Sequence, residues 1–329
     1  CVATLLPTTV LRVRGYVANT DEDWYTTLRD LQPLEEVNFW QPMGGRGFRV
    51  LEPGEPVYFR LKSPHCKVAG FGTFARHDVL PWWLAWEAFG SGNGTKTRRE
   101  MEQRIQRYRQ AHGADPNVSM NVGCLILVQP VFFTPDQWVD GPVDWKGPIV
   151  SGKGYDLRVG EGRRIWQECQ RAAARVPGWA APLEERHNSL LVAESIPRFG
   201  EPRPVAPRLG QGAFRIAVTA AYNNACAVTR EHSLPVIEAA HVRPYAAGGP
   251  HAVPNGIALR SDIHRLFDRG YVTFDSDLRF VVSRRLREEY QNGKAYYELE
   301  GRRMFEPRQD KERVDHAALE WHREHAYTG

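Results

Sequence analysis

Residues 238–270 read EAAHVRPYAAGGPHAVPNGIALRSDIHRLFDRG. The positions of the polar residues in this stretch indicate the fold of the C-terminal part of the chain. His241 follows a short predicted strand, Asn255 follows a loop rich in glycine and proline, and His264 lies in a predicted helix. Asp268 comes four residues after His264, so both side chains share one helix face and could hold one cation. A neutral imidazole accepts a proton near pH 7, and a divalent ion stabilises a pentacoordinate phosphate and the departing oxygen. The pattern predicts a site that hydrolyses phosphodiesters.

Three blocks of this stretch, EAAHVRPYAAGG, NGIAL and DIHRLFDRG, resemble an HNH endonuclease. The resemblance extends over residues 210–290 and implies the ββα-metal nuclease fold. It implies that His241 is the general base that activates water, that Asn255 orients this water and ties down the hairpin, and that His264 is a metal ligand. These three residues are the predicted catalytic set. Arg243, inside the first block, is a predicted contact to the DNA backbone.

The metal ligands are incomplete in this resemblance, because many family members carry Asp or His immediately before the base, where this chain has Ala240. Asp268 is the first candidate for the missing ligand and Glu238 is the second, with water and the scissile phosphate as further ligands. Asp268 could instead cap the helix or pair with a neighbouring arginine. Mixed nitrogen and oxygen ligation accepts Mg²⁺, Mn²⁺ or Ni²⁺, so a divalent metal is predicted without a choice of ion. Histidines outside the motif, such as His251, are expected to be ordinary surface or loop residues.

The first 165 residues lack a comparable nucleophile or metal cluster and are rich in aromatic side chains. Most of these aromatics should pack in a core. Hydrophobic periodicity predicts strands at 10–17, 56–61, 67–75 and 122–133, and helices at 21–31 and 97–111.

This part of the chain resembles an EVE domain, a PUA-like fold related to YTH domains, in the segments GYV (15–17), DEDWYTTL (21–28), VNFWQP (37–42) and LEPGEPVYFRLKSPHCKVAGFGTF (51–74). The resemblance implies a β-barrel that recognises modified bases. Reading such a base requires taking it out of the stack and holding it between flat rings. The predicted pocket residues, each with core packing as its alternative, are Asn38, Phe39, Trp40, Ser63, Trp82 and Trp83.

Arginines are frequent in the predicted helix 97–111, and Arg98, Arg99 and Arg104 are candidate contacts to the DNA backbone. A solvated helix face is the alternative, because glutamates alternate with these arginines. The net charge of the whole chain is only +4, so charge by itself does not indicate a nucleic-acid partner. The DNA hypothesis therefore depends on the motifs.

The chain of 329 residues, 42% of them apolar, is long enough for two cores. Prolines and glycines between the two motif regions indicate a linker, so we expect an EVE-like reader at 1–170, a proline-rich linker at 171–208 and the nuclease at 209–329. No apolar run approaches the roughly 18 residues of a membrane helix. Five cysteines without a CxxC pair exclude zinc ribbons and favour a reduced cytoplasm. Residues 300–329 predict an amphipathic helix that serves either as an oligomer contact or as a lid on the nuclease.

These observations predict the α+β class, with a PUA-like EVE β-barrel domain followed by a ββα-metal HNH domain. The predicted function is cleavage of duplex DNA that carries 5-methylcytosine or 5-hydroxymethylcytosine, recognised by base flipping and hydrolysed at a one-metal site. Because such a domain has one strand-cleaving centre, cutting both strands implies a homodimer or two independent visits. The alternatives are a non-catalytic binder of modified nucleic acid, disabled at Ala240, and a nuclease that acts on modified RNA.

Overall fold

The computed structural model describes residues 13–44, 47–114, 120–146, 149–177, 179, 202, 204 and 209–329. The chain divides into two compact units, Cys1–Pro207 and Arg208–Gly329. Most of the predicted linker at 171–208 lies outside the described residues. Among the described residues, no helix has both the length and the apolar character needed to cross a membrane.

A mixed sheet of seven strands forms the centre of the first unit. Its strands are β1 (Arg14–Thr20), β2 (Glu36–Gln41), β3 (Pro56–Leu61), β4 (Lys67–Pro81), β5 (Asn121–Phe132), β6 (Val139–Asp140) and β7 (Gly152–Asp156). The order is β2-β5-β4-β3-β1-β7, and β6 pairs with β4. β1 runs parallel to β3, and the other pairs are antiparallel. Within the described residues no pairing joins β2 to β7, so the sheet has two ends, whereas the resemblance implied a barrel.

Two apolar clusters lie on the two faces of this sheet. Alternate residues of β1 enter different clusters: Tyr16 and Ala18 join one, and Val17 joins the other. This alternation is expected because successive side chains of a strand point to opposite faces. The helices of the unit are α1 (Glu22–Asp30), α2 (Trp82–Phe89), α3 (Arg98–Ala111) and α4 (Gly160–Ala173). α1 contributes Trp24 to the first cluster, and α4 contributes Ile165 to the second.

The first part of the second unit is a β-hairpin with one helix before it and one helix after it in the sequence. α5 (Gln211–Ala221) comes first, strands β8 (Ile237–His241) and β9 (Gly256–Arg260) form the hairpin, and α6 (Ser261–Asp268) follows without a gap. β8 and β9 are antiparallel, with His241 opposite Gly256. α5 approaches the hairpin so closely that a Cβ atom on Gly256 would lie 2.3 Å from Val218. The glycine of NGIAL is thus required by packing, and β8, β9 and α6 have the predicted ββα order.

The rest of the second unit supports the end of α6. A second hairpin, β10 (Val272–Phe274) and β11 (Phe280–Val282), precedes the helices α7 (Arg285–Tyr290), α8 (Lys294–Tyr297) and α9 (His316–His325). α9 lies within the predicted C-terminal helix 300–329 but covers only its residues 316–325, and 300–315 contain turns and extended segments. Its His322 is buried, with Nδ1 2.9 Å from Thr273 Oγ1 and Nε2 3.1 Å from the carbonyl oxygen of Phe267. The ring also stacks on Phe267 at 3.7 Å, so α9 fixes the last turn of α6.

Candidate active site

His241 lies at the end of β8, where two neighbouring rings hold its imidazole. The ring stacks on Phe214 of α5, with centroids 4.0 Å apart and planes 15° apart. Its Nε2 lies 2.9 Å from Nδ1 of His251. Burial, together with the neighbouring His251, lowers the pKa of His241 to about 4, and Asp268 opposes the shift. The imidazole is therefore neutral at pH 7 and is able to accept a proton.

His264, on α6, lies between two carboxylates. Its Nδ1 is 2.7 Å from Glu238 Oε2 on β8, and its Nε2 is 3.2 Å from Asp268 Oδ2 on the next turn of the helix. Burial would lower the pKa of His264, but the interactions with Asp268 and Glu238 outweigh burial and raise it. The two carboxylates thus create a position that favours positive charge.

The two histidines share one electrostatic environment. His264 lowers the pKa of His241, and Asp268 raises it. The geometric link between them is Glu238, which lies on the same strand as His241 and contacts Nδ1 of His264 at 2.7 Å. The contact between α6 and β8 provides the connection in the fold.

The donor chemistry of this cluster fits a divalent ion, because it combines one imidazole with two carboxylates. The geometry limits how these groups can act together. Glu238 and Asp268 lie at opposite nitrogens of His264, so only one of them can share an ion with that ring. Across the part of the chain that the structure describes, no three His, Cys, Asp or Glu side chains form a ready-made metal site. The protein would therefore supply two ligands here.

Asn255 is buried, and its side-chain amide forms hydrogen bonds to backbone groups of the hairpin loop. Its Oδ1 accepts a hydrogen bond from the backbone N–H of Arg243 at 2.9 Å. Its Nδ2 donates to the carbonyl oxygens of Arg243, at 2.9 Å, and Pro250, at 3.0 Å. The predicted tie across the hairpin is thus present in the structure, and the predicted water-orienting role stays a prediction.

Arg243 lies on the loop that Asn255 ties. Its Nε donates to the carbonyl oxygen of Ala247 at 2.8 Å. Its guanidinium lies over the ring of Trp321 on α9, 5.6 Å from the centroid. These contacts hold the side chain beside the hairpin, and its contact with DNA stays a prediction.

A cavity of about 1070 Å³ opens in the first unit. Three of the six predicted pocket residues, Phe39, Trp40 and Ser63, lie on its wall. The sequence reasoning did not identify the rest of the wall. Much of it comes from α1, α3 and the loop at 149–151, which are distant from one another in the chain. Its other members are Asn19, Asp21, Glu22, Asp23, Trp24, Gln41, Pro42, Met43, Lys62, Arg104, Arg107, Tyr108, His112, Ile149, Val150 and Ser151.

The other three predicted pocket residues lie elsewhere. Asn38 is fully buried, and its Nδ2 contacts Asn93 Oδ1 at 2.9 Å and Cys124 Sγ at 3.3 Å, so it packs in the core. Trp82 and Trp83 begin α2 and do not line the cavity. Asn38 thus follows its core-packing alternative, whereas Trp82 and Trp83 are half-buried and belong neither to this cavity wall nor to the buried core.

The predicted DNA-contacting arginines of α3 occupy two different environments. Arg98 and Arg99 are exposed at the start of the helix, and the Arg98 guanidinium lies over the Trp82 ring, 5.2 Å from its centroid. Arg104 pairs with Glu100 at 2.7 Å and with Asp23 at 3.3 Å, and it lines the cavity. Arg104 is therefore part of the cavity wall, while the first two remain available to solvent.

His251 is a neighbour of His241 that the sequence reasoning missed. It was expected to be an ordinary loop histidine, and the structure pairs it with His241. Its position after Gly248 and Gly249 gave one signal, because a glycine turn brings the chain back towards the strand end. A Cβ atom on Gly249 would lie 1.9 Å from the carbonyl oxygen of Arg243, so the turn is as tight as glycine allows.

Comparisons with known proteins bear on the second unit most directly. The family described as HNH endonuclease matches residues 226–275. A search of curated proteins finds no match. Among solved structures, ASCH from Zymomonas mobilis is 11% identical with a TM-score of 0.32, covering 46% of this chain and 94% of that chain. A structure titled modification dependent TagI restriction endonuclease is 13% identical with a TM-score of 0.24, covering 88% of this chain and 75% of that chain.

Proposed function

We propose that this protein is a modification-dependent DNA endonuclease. The premise is that residues 226–275 are an HNH endonuclease domain and that the chain is a nuclease. In this proposal the first unit recognises 5-methylcytosine or 5-hydroxymethylcytosine in duplex DNA by base flipping. The second unit then hydrolyses phosphodiester bonds with the help of one divalent ion. The observation that carries the proposal is the arrangement of β8 and α6. β8 ends at His241, and its Glu238 lies 2.7 Å from Nδ1 of His264 on α6. The other ring nitrogen of His264 lies 3.2 Å from Asp268.

His241 is the general base of the proposed reaction. Its neutral imidazole accepts one proton from water, the hydroxide forms a bond to phosphorus, and the phosphorus–oxygen bond to the leaving group breaks. Burial keeps the base unprotonated at neutral pH because it lowers the pKa to about 4. The stack on Phe214 keeps the ring in place.

His264 and Asp268 are the proposed ligands of the divalent ion, since they lie on adjacent turns of α6. Such an ion stabilises negative charge on the phosphate and on the leaving oxygen. Glu238 accepts a hydrogen bond from Nδ1–H of His264, which fixes the ring so that Nε2 faces Asp268. Asn255 contributes by holding the loop after His241 through its contacts to the backbone.

The cavity of the first unit is the proposed reading site. Its volume of about 1070 Å³ accommodates a flipped nucleotide, and the aromatic residues Phe39 and Trp40 belong to its wall. Flat rings suit a base that has been removed from the stack, because base–aromatic stacking is worth about 1–3 kcal/mol. The carboxylates of Asp21, Glu22 and Asp23 on the same wall are acceptors that suit the exocyclic amino group of cytosine.

The test is digestion of identical plasmids with and without cytosine methylation, in Mg²⁺ and in Mn²⁺. The protein is expected to cut the methylated plasmid and to leave the other intact. His241→Ala should abolish cutting and keep the gel shift of methylated duplex, whereas His232→Ala, which removes an exposed histidine, should cut like the parent.

Each negative result of this digestion test contradicts a different part of the proposal. Equal cutting of both plasmids would refute the reading role, and cutting by the His241→Ala variant would refute the base assignment. A gel shift without fragments in every metal would favour a non-catalytic binder. Competition by modified RNA, stronger than by methylated DNA, would favour an RNA nuclease.

A further inference from the structure

Four aromatic rings, one of them the imidazole of the base His241, form a column that ends at the surface of the second unit. Phe214 stacks on His241, and Tyr245 stacks on His251 with centroids 4.6 Å apart and planes 13° apart. The two imidazoles meet edge to face at 66°, joined by the contact of 2.9 Å between His241 Nε2 and His251 Nδ1. Tyr245 is 66% exposed, so solvent borders the outer end of this column.

The hydrogen bond between the two imidazoles limits their tautomers. Of the two facing nitrogens, one must carry a proton and the other must offer a lone pair. If His251 donated, the lone pair on Nε2 of His241 would be occupied, and Nδ1 would carry the proton. His241 would then have no free basic nitrogen.

The opposite arrangement leaves a usable base. If Nε2–H of His241 donates to Nδ1 of His251, the lone pair of His241 lies on Nδ1. Nδ1 has no hydrogen-bond partner among the described residues, and the His241 side chain is only half-buried. A water molecule can therefore approach this nitrogen.

We propose that His251 is a positioning residue that accepts Nε2–H of His241 and thereby fixes Nδ1 of His241 as the nitrogen that takes the proton. This inference rests on the proposed nuclease function. After the proton is taken, Nε2–H of the imidazolium still donates to His251, and a hydrogen bond from a charged donor is stronger than one from a neutral donor. His251 thus keeps the same hydrogen bond to Nε2–H before and after the proton transfer.

Two substitutions separate the hydrogen bond from the packing. His251→Phe keeps a ring against Tyr245 but offers no lone pair. His251→Asn places an acceptor oxygen where Nδ1 was. Cleavage of methylated plasmid should fall by roughly 10- to 100-fold in kcat in His251→Phe, a part of the 10²–10⁴ that a general base provides, and should stay within a few-fold of the parent in His251→Asn. KM and the gel shift should change little in either variant.

Nitrogen-15 spectra of the histidines in the full chain give a second, independent readout. At pH 7.5 the neutral His241 should show the Nε2–H tautomer in the parent and in His251→Asn, and a mixture of tautomers in His251→Phe. The assignment comes from comparison with His241→Gln, and His232→Ala serves as the matched control. This readout does not need cleavage or metal.

The outcomes distinguish this inference from the function on which it rests. If the parent cuts and His251→Phe cuts equally well, or if His251→Asn is as impaired as His251→Phe, the positioning role is wrong. An Nδ1–H tautomer in the parent overturns it as well. If the parent does not cut any DNA, the proposed function fails, and the spectra still decide the tautomer.

Discussion

Replacing Asn255 by alanine tests the link between the hairpin loop and the base. The substitution removes three hydrogen bonds and leaves the N–H and carbonyl of Arg243 and the carbonyl of Pro250 without their partner. A buried polar group without a partner costs about 1–3 kcal/mol. Because Arg243 and Pro250 lie at a partly exposed loop, water can replace part of the loss, and we expect about 2 kcal/mol in total. This corresponds to roughly 30-fold more opening of the loop.

Hydrogen exchange of the Arg243 amide in the full chain measures this opening directly, because that amide donates to Asn255 Oδ1. We expect roughly 30-fold faster exchange in Asn255→Ala, together with loss of cleavage and an unchanged gel shift of methylated DNA. Asn255→Asp should be worse, since a carboxylate would face two carbonyl oxygens at 2.9 and 3.0 Å. Asn292→Ala, at an exposed position, is the control. Unchanged exchange at Arg243, or normal cleavage by Asn255→Ala, would refute the reasoning.

Four further outcomes are expected. At saturating metal, cleavage should persist as the pH falls to about 5 and disappear towards 4, because only neutral His241 accepts a proton and burial lowers its pKa to about 4; loss centred near pH 6.5 would contradict this. Asp268→Asn should raise the metal concentration that half-activates cleavage by about 10- to 100-fold, measured by Mn²⁺ titration. His322→Ala should lower the free energy of unfolding in urea by about 2–4 kcal/mol, because it removes two hydrogen bonds and the stack on α6. Trp40→Ala should weaken the gel shift of methylated duplex about 5- to 150-fold, whereas Trp82→Ala, outside the cavity, should not.

The elements of the nuclease unit could be predicted from sequence because their signals are local. The glycine- and proline-rich loop marks the hairpin, and the four-residue spacing of His264 and Asp268 requires only the period of a helix. The contact at 3.2 Å between these two side chains follows from that period. The pairing of His251 with His241 did not follow, because the two residues are ten positions apart across a glycine turn, and periodicity does not describe the path of such a turn.

The cavity of the first unit shows the same limit over longer distances. Phe39 and Trp40 lie next to each other on β2, and any strand would place their rings on opposite faces. Which aromatic rings reach the cavity depends on how α1, α3 and the loop at 149–151 approach them. Trp82 and Trp83 are tryptophans like Trp40, so residue type does not distinguish them. They begin α2 and do not line the cavity.

The residue types of the candidate active site and their approximate neighbours can be predicted from the chain alone, because spacing along one hairpin and one helix fixes contacts within a few residues. The fold was needed to show which ring nitrogen of His264 meets which carboxylate, and that His241 is paired with His251. Hydrogen bonds act over about 3 Å, and the packing of α5 and α6 on the hairpin sets these distances, which no pattern along the chain describes.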